Sequence, residues 1–228
     1  MITSNVIHRT FQLKCGEELG TCFTIDVDNK QYLCTAKHCM KNFSGKSIEL
    51  FHENQWKTLE VDIVGHGSND SDICVLCAKI QLSPPLPLPP TMADLVIGQD
   101  AYFLGFPYGI QIEAGKLNRL FPLPLVKRAT ISAISFEEQK IILLDGHNNP
   151  GFSGGPVVFV KPGNTKNELR VAGIISSYRF EPTPVLDEND RETSLKVRTN
   201  TGIVHSYAIN HALDAIKENP IGAEIIVK

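Results

Sequence analysis

The chain carries no excess of charge of either sign: 22 Lys and Arg stand against 25 Asp and Glu, a formal net charge of −3 over 228 residues. Nucleic acids are held first through a basic face that neutralises phosphates, so this balance predicts no nucleic-acid partner. Long apolar runs are also missing. Nothing approaches the roughly 20 apolar residues needed to cross a bilayer, and the first residues, Met1 to Arg9, lack the apolar segment of a signal peptide. The expectation is a cytoplasmic protein with no membrane partner. Cysteine is scarce for a disulfide scaffold: the six residues Cys15, Cys22, Cys34, Cys39, Cys74 and Cys77 read as reduced thiols. Cys74 and Cys77 have zinc-knuckle spacing, and Cys34, His38 and Cys39 would complete a ligand set. They lie in a strand-like run, however, where residues three apart face opposite ways. Neither a metal nor a cofactor is expected.

Helical periodicity is as sparse as charge excess. Short β-branched and aromatic runs recur instead, at Thr21–Val27, Tyr32–Thr35, Ser47–Phe51, Thr58–Gly65, Ile73–Cys77, Asp100–Gly105, Val126–Ile134, Lys140–Leu144, Pro156–Val160, Leu169–Ser176 and Gly202–Ile209, with Asn, Gly, Pro and Asp between them. That pattern predicts an all-β antiparallel fold. One helix is predicted over Asn210–Asn219, with Asn210 as N-cap and Pro220 beyond its end, and a short helical turn after His38. The stretch from Ser83 to Pro90 holds five prolines, which lack N–H donors, and reads as an extended linker. It divides an N-terminal β unit (10–82) from a C-terminal one (95–209), with 83–94 between them and the helix 210–219 last. The polar segment Phe180–Thr201, with five acidic residues, reads as a surface loop or solvated hairpin tip.

Chemistry concentrates in the run from Asn149 to Val158, which has Ser153 flanked by Gly151, Gly154 and Gly155. A serine hydroxyl is a poor nucleophile until a base takes its proton and donors hold the oxyanion that forms. Glycines let successive N–H groups point into one concavity. His38, after the apolar strand ending at Thr35, is a candidate base. Asp72, immediately before the run Ile73–Leu76, is a candidate carboxylate to orient it, with Asp70 as the fallback.

In the order His38, Asp72, Ser153, the sequence resembles the trypsin-like (chymotrypsin-fold) serine peptidases. Thr35-Ala36-Lys37-His38-Cys39, Asp72-Ile73-Cys74-Val75-Leu76 and Pro150 to Val157 look like that family's His, Asp and Ser segments. The likeness is closest to the bacterial Deg/high-temperature-requirement group, through Leu19–Phe23, Gly105-Phe106-Pro107-Tyr108-Gly109 and Asn149–Pro156, without the PDZ module usual there. The resemblance covers about residues 15 to 218. It implies two six-stranded antiparallel β-barrels with a C-terminal helix and a cleft between the barrels. It also implies a serine endopeptidase with catalytic His38, Asp72 and Ser153, an oxyanion hole from the N–H groups of Gly151 and Ser153, and protein or peptide substrates. A specificity pocket lined by His147, Ser176, Tyr178 and Gly202 would lack the carboxylate that selects Lys or Arg. Phe152 departs from the family: zymogen-type trypsins carry an aspartate there, which pairs with a newly cut N-terminus, so activation by N-terminal cleavage is not expected. Two alternatives stand beside this reading. A catalytically silent binding or regulatory module of the same fold would act through a protein partner. An α/β-hydrolase reading of Gly151-Phe152-Ser153-Gly154-Gly155, served by Asp187 and His205, would need a helix directly after Ser153.

Overall fold

The computed structural model describes residues 2–137, 139–163 and 168–226. Six strands precede the proline-rich stretch: β1 (Thr10–Cys15), β2 (Glu18–Val27), β3 (Lys30–Thr35), β4 (Ser47–His52), β5 (Gln55–His66) and β6 (Cys74–Ala78). After it come β7 (Asp100–Gly105), β8 (Leu125–Ile134), β9 (Ile141–Asp145), β10 (Pro156–Val160), β11 (Leu169–Leu186), β12 (Glu192–Ala208) and the short β13 (Ala223–Glu224). Helix α1 (Ser4–Ile7) opens the chain and α2 (Asn210–Glu218) follows β12. Two hairpins turn where paired residues take positive φ, Asp28 and Asn29 between β2 and β3, and Glu53 and Asn54 between β4 and β5. That is the two-residue turn whose twist matches antiparallel strands.

The order β3-β2-β1-β4-β5-β6 returns on itself through pairing of β3 with β6, and β13 adds to the far side of β3. The second set closes in the order β10-β11-β12-β9-β8-β7. The fold is all-β, two six-stranded antiparallel barrels with a C-terminal helix. Each barrel has its own apolar interior, one including Phe11, Leu13, Cys22, Leu33, Cys74 and Leu76, the other Phe103, Ile131, Leu144, Phe152, Val157 and Phe159. A third cluster lies between them: Phe23, Ile25, Val64, Ile73 and Val75 from the first barrel meet Leu104, Val158, Val171 and Ile174 from the second, with Ala212, Ala215 and Ile216 of α2. Gly65 is where α2 comes closest to β5, since a Cβ there would lie 3.1 Å from that of Ala215.

Several expectations need correction. Strand β1, unforeseen, alternates Phe11, Leu13 and Cys15, which enter the barrel interior, with Gln12 and Lys14 on the other face, and lies between β2 and β4. Of the two readings of Phe180–Thr201, the hairpin holds and the loop does not: β11 and β12 stay paired from Phe180↔Asn200 to Leu186↔Glu192, a two-stranded ribbon beyond the barrel. Pro182 and Pro184 are tolerated there because the ribbon's outer edge demands no N–H from them. Asn210 is the first residue of α2 rather than its cap, and its Oδ1 is buried without a partner among the described residues. The proline-rich stretch is strapped down at both ends. Gln31 Oε1 accepts the N–H groups of Leu82 and Ser83, the buried Arg9 guanidinium bonds Asp26 and the Leu86 carbonyl, and Val171 N donates to Pro89 O.

Cys74 joins the first barrel's interior while Cys77 packs towards the inter-barrel cluster, so the pair does face opposite ways. Among the described residues no helix is long and apolar enough to cross a membrane. Because the middle cluster ties the barrels together, Ile174→Ala is expected to cost about 2–5 kcal/mol, the usual range for truncating a buried Ile, read as a lower urea midpoint with the fold retained.

Candidate active site

His38 and Asp72 come from neighbouring ends of paired strands. β3 runs into a 3₁₀ turn, Lys37–Met40, that carries His38, and the register Thr35↔Cys74 brings Asp72 alongside. Asp72 Oδ1 accepts the His38 backbone N–H at 2.8 Å, and Oδ2 lies 2.6 Å from His38 Nδ1. Ser176 Oγ donates to the same Oδ2 at 2.6 Å. The Asp72 side chain is 19% exposed and that of His38 48%, so the carboxylate is screened while the imidazole opens to solvent. The bond to Asp72 lifts His38 far above the ordinary histidine value, to about 10, against an opposing contribution from burial. Burial pushes the Asp72 carboxyl up, but the bonds from His38 and Ser176 outweigh it and leave the group lowered.

Ser153 lies on the loop before β10, and its Oγ donates to the Ser176 carbonyl at 3.0 Å. Glycine is required on both sides. A Cβ on Gly154 (φ +84°) would fall 2.1 Å from the Thr21 carbonyl, and one on Gly151 (φ +106°) 2.3 Å from that of Phe106. Four carbonyls of the loop are held in turn: Pro150 by Tyr108 N (2.8 Å), Gly151 by Thr21 Oγ1 (2.7 Å), Phe152 by Gly155 N (2.9 Å) and Ser153 by Thr21 N (2.8 Å). The N–H groups of Gly151 and Ser153 are left without an acceptor among the described residues. Phe152 is fully buried, edge-on to Phe103 at 5.0 Å, with Lys127 Nζ 5.4 Å from its ring centroid.

The four residues placed at the pocket take different positions. Ser176 is buried and its hydroxyl serves Asp72, a role the sequence did not reveal. Tyr178 is half-buried on β11 opposite Val204. His147 is exposed, and its carbonyl accepts from Lys127 Nζ at 2.5 Å. Gly202 (φ +78°) accepts from Gly146 N at 2.9 Å, which joins β12 to the segment bearing His147. Asn148, unforeseen, is buried between these segments, giving its amide to Ser177 O and its carbonyl to Asn200. Thr21, which holds two loop carbonyls, was equally invisible. Asp70 sits exposed at φ +57°. The hydrolase reading falls: Pro156–Val160 is a strand, and Asp187 caps the ribbon's own turn through Asn189 N and Arg191 N.

The profile of the trypsin-like peptidase domain matches residues 20–164, more than half of the chain, a span within which His38, Asp72 and Ser153 lie. The chain belongs to the trypsin-like peptidase family. A sequence comparison with curated proteins finds no match. Among solved structures, the Rv3671c protease of Mycobacterium tuberculosis H37Rv in its inactive form is similar at TM-score 0.60 and 14% identity, over 96% of this chain and 92% of that one. The HtrA-type protease AlgW with a tripeptide is similar at TM-score 0.58 and 20% identity, over 94% of this chain and 61% of that one. At these identities the likeness is one of fold.

For this trypsin-like peptidase chain the His38 and Asp72 geometry has a measurable consequence. A histidine stabilised as the cation stays charged until pH exceeds its raised value. In ¹⁵N-detected NMR, His38 is expected to titrate well above 6.5, and Asp72→Asn, which removes the anion and reverses the hydrogen-bonding demand, is expected to bring it back towards 6.5. A wild-type His38 titrating at or below 6.5 contradicts the assignment.

Proposed function

We propose that the protein is a serine endopeptidase. The observation that carries this reading is the single carboxylate Asp72 at 2.6 Å from both His38 Nδ1 and Ser176 Oγ, with Ser153 Oγ on the carbonyl of that same Ser176. When His38 is neutral, Nε2 takes the Ser153 proton as Oγ bonds to the carbonyl carbon of the substrate. The carbonyl electrons move to oxygen, and that oxyanion is met by the N–H groups of Gly151 and Ser153, a contribution of about 3 kcal/mol per donor in comparable sites. The imidazolium passes its proton to the amine nitrogen as the C–N bond breaks, leaving an acyl-enzyme. Water, deprotonated by His38, then releases the acid and restores Ser153. Asp72 stays ionised throughout, fixing the tautomer and balancing the imidazolium.

The raised His38 value sets the sign of the pH dependence. The base works only when neutral, so the rate climbs with pH and its acidic limb lies above 6.5. No carboxylate stands among His147, Ser176, Tyr178 and Gly202, so cleavage after Lys or Arg is disfavoured. His147 is a donor suited to an acidic or amide side chain, while Tyr178 suits a shallow pocket for small residues. Phe152 offers no charge to a new N-terminus, and its packing on Phe103 holds the loop without one.

A serine-directed fluorophosphonate is expected to label the protein with its N-terminus intact, and Ser153→Ala and His38→Ala to abolish labelling. Ser153→Ala is expected to lower peptide hydrolysis by at least about 10⁴-fold, as loss of a triad nucleophile does, with unchanged melting. Absence of labelling in the folded wild type would point to the silent binding module instead.

A further inference from the structure

Tyr108 is a non-glycine residue in the left-handed region (φ 54°, ψ 21°), and its side chain leaves the residue 68% exposed. Such a conformation costs energy and persists only where surrounding structure imposes it. Burial of the ring does not account for it. The backbone does: tight turns hold the residue on either side, with Gly109 N on Phe106 O at 3.2 Å and Ile110 N on Pro107 O at 2.9 Å. The Phe106 N–H is fixed on Thr21 Oγ1 at 3.2 Å. Held this way, the Tyr108 N–H meets the Pro150 carbonyl at 2.8 Å, and the Tyr108 hydroxyl accepts from Asn149 Nδ2 at 3.2 Å.

The Pro150 carbonyl shares one planar peptide with the N–H of Gly151, and in a trans peptide the two point in opposite directions. The bond to Tyr108 N therefore turns the Gly151 N–H away from the Gly105–Gly109 segment, where it finds no acceptor among the described residues. Rotation of that peptide would break the Tyr108 bond and exchange the free N–H for a carbonyl oxygen, repelling an oxyanion instead of holding it. The other free N–H, of Ser153, is fixed by the same logic through Gly155 N on Phe152 O. That second bond lies within the loop. The Tyr108 bond comes from outside it.

We propose that Tyr108 is a positioning residue: its left-handed backbone, through the N–H bonded to Pro150, sets the peptide whose N–H completes the oxyanion hole at Gly151. This rests on the peptidase reading. The work is done by conformation and donor, not by the ring.

The test compares full-length variants on p-nitrophenyl acetate, with melting as a check on folding. Tyr108→Gly keeps the donor and relaxes the conformation, and is expected within about threefold of wild type. Tyr108→Val, whose branched Cβ disfavours positive φ, is expected to lose about 10²-fold in kcat with KM within twofold, as loss of one oxyanion donor does. Exchange of the Tyr108 amide for an ester, by suppression with the α-hydroxy acid, deletes the donor, weakens the Pro107 carbonyl that accepts from Ile110 N, and is expected to lower kcat at least tenfold; it decides the matter should Tyr108→Val not fold, because the same exchange at Ile110, which removes the Pro107 bond and keeps the Tyr108 donor, is expected within about threefold of wild type. Retained kcat in the ester variant, or an equal loss in Tyr108→Gly and Tyr108→Val, overturns the proposal. A folded wild type that neither hydrolyses the ester nor reacts with a fluorophosphonate overturns the peptidase reading, and this inference with it.

Discussion

A short chain of hydrogen bonds from β3 through β2 to the Ser153 loop holds the two halves of the site in register. Thr35 Oγ1 donates to the Thr21 carbonyl at 2.8 Å, and Thr21 in turn holds the carbonyls of Gly151 and Ser153. Thr35 stands three residues before His38 on the strand that delivers it. The barrel carrying His38 is thereby bonded to the loop carrying Ser153 through two short threonine side chains and the Thr21 backbone. Both threonines are fully buried, so water does not compete for these bonds. Gly154 makes the closeness possible, for a methyl there would collide with both the Thr21 carbonyl and Thr35 Oγ1. The apolar cluster beneath supplies the adhesion between barrels, but apolar contact is not directional. The threonine pair supplies the direction.

Ser176 performs a second joining across the same cleft. Its hydroxyl holds Asp72 and its carbonyl holds the Ser153 hydroxyl. The strand that forms one wall of the cleft therefore touches both ends of the proposed proton path. In the structure the Ser153 hydroxyl donates to the Ser176 carbonyl, while the bond to Asp72 raises the His38 value. In the proposed mechanism a neutral His38 would offer Nε2 as the acceptor in its place.

Much of this was legible in the sequence because the informative residues sit beside glycines or at strand ends. Ser153, His38 and Asp72 stood out through local context, and the β pattern gave eleven strands their approximate places. What escaped were residues whose meaning lies in a partner far along the chain. Thr21 is an ordinary β-strand threonine until the loop 130 residues later folds onto it. Ser176 sits in an apolar strand and gave no sign that its hydroxyl would reach Asp72. Strand β1 was missed although Phe11, Leu13 and Cys15 alternate with Gln12 and Lys14, the period-2 pattern of a strand with one face on the core. At Phe180–Thr201 the solvated hairpin was among the readings but the length of its pairing was not, since acidic residues are compatible with pairing when both faces meet solvent.

Phe152 shows how one apolar residue takes over work that an ion pair performs elsewhere. A buried carboxylate at this position would demand a cation, since an unpaired charge in an apolar interior is strongly unfavourable. A loop built on such a pair is stable only while the cation is supplied. Phe152 needs none: it fills the second barrel's interior against Phe103, and Gly105 opposite it has no room for a side chain, with a Cβ falling 2.8 Å from the Phe152 ring. Packing of this kind depends on shape and on neither pH nor the presence of a new terminus. The loop's conformation is then set together with the interior of the second barrel, into which Phe152 packs.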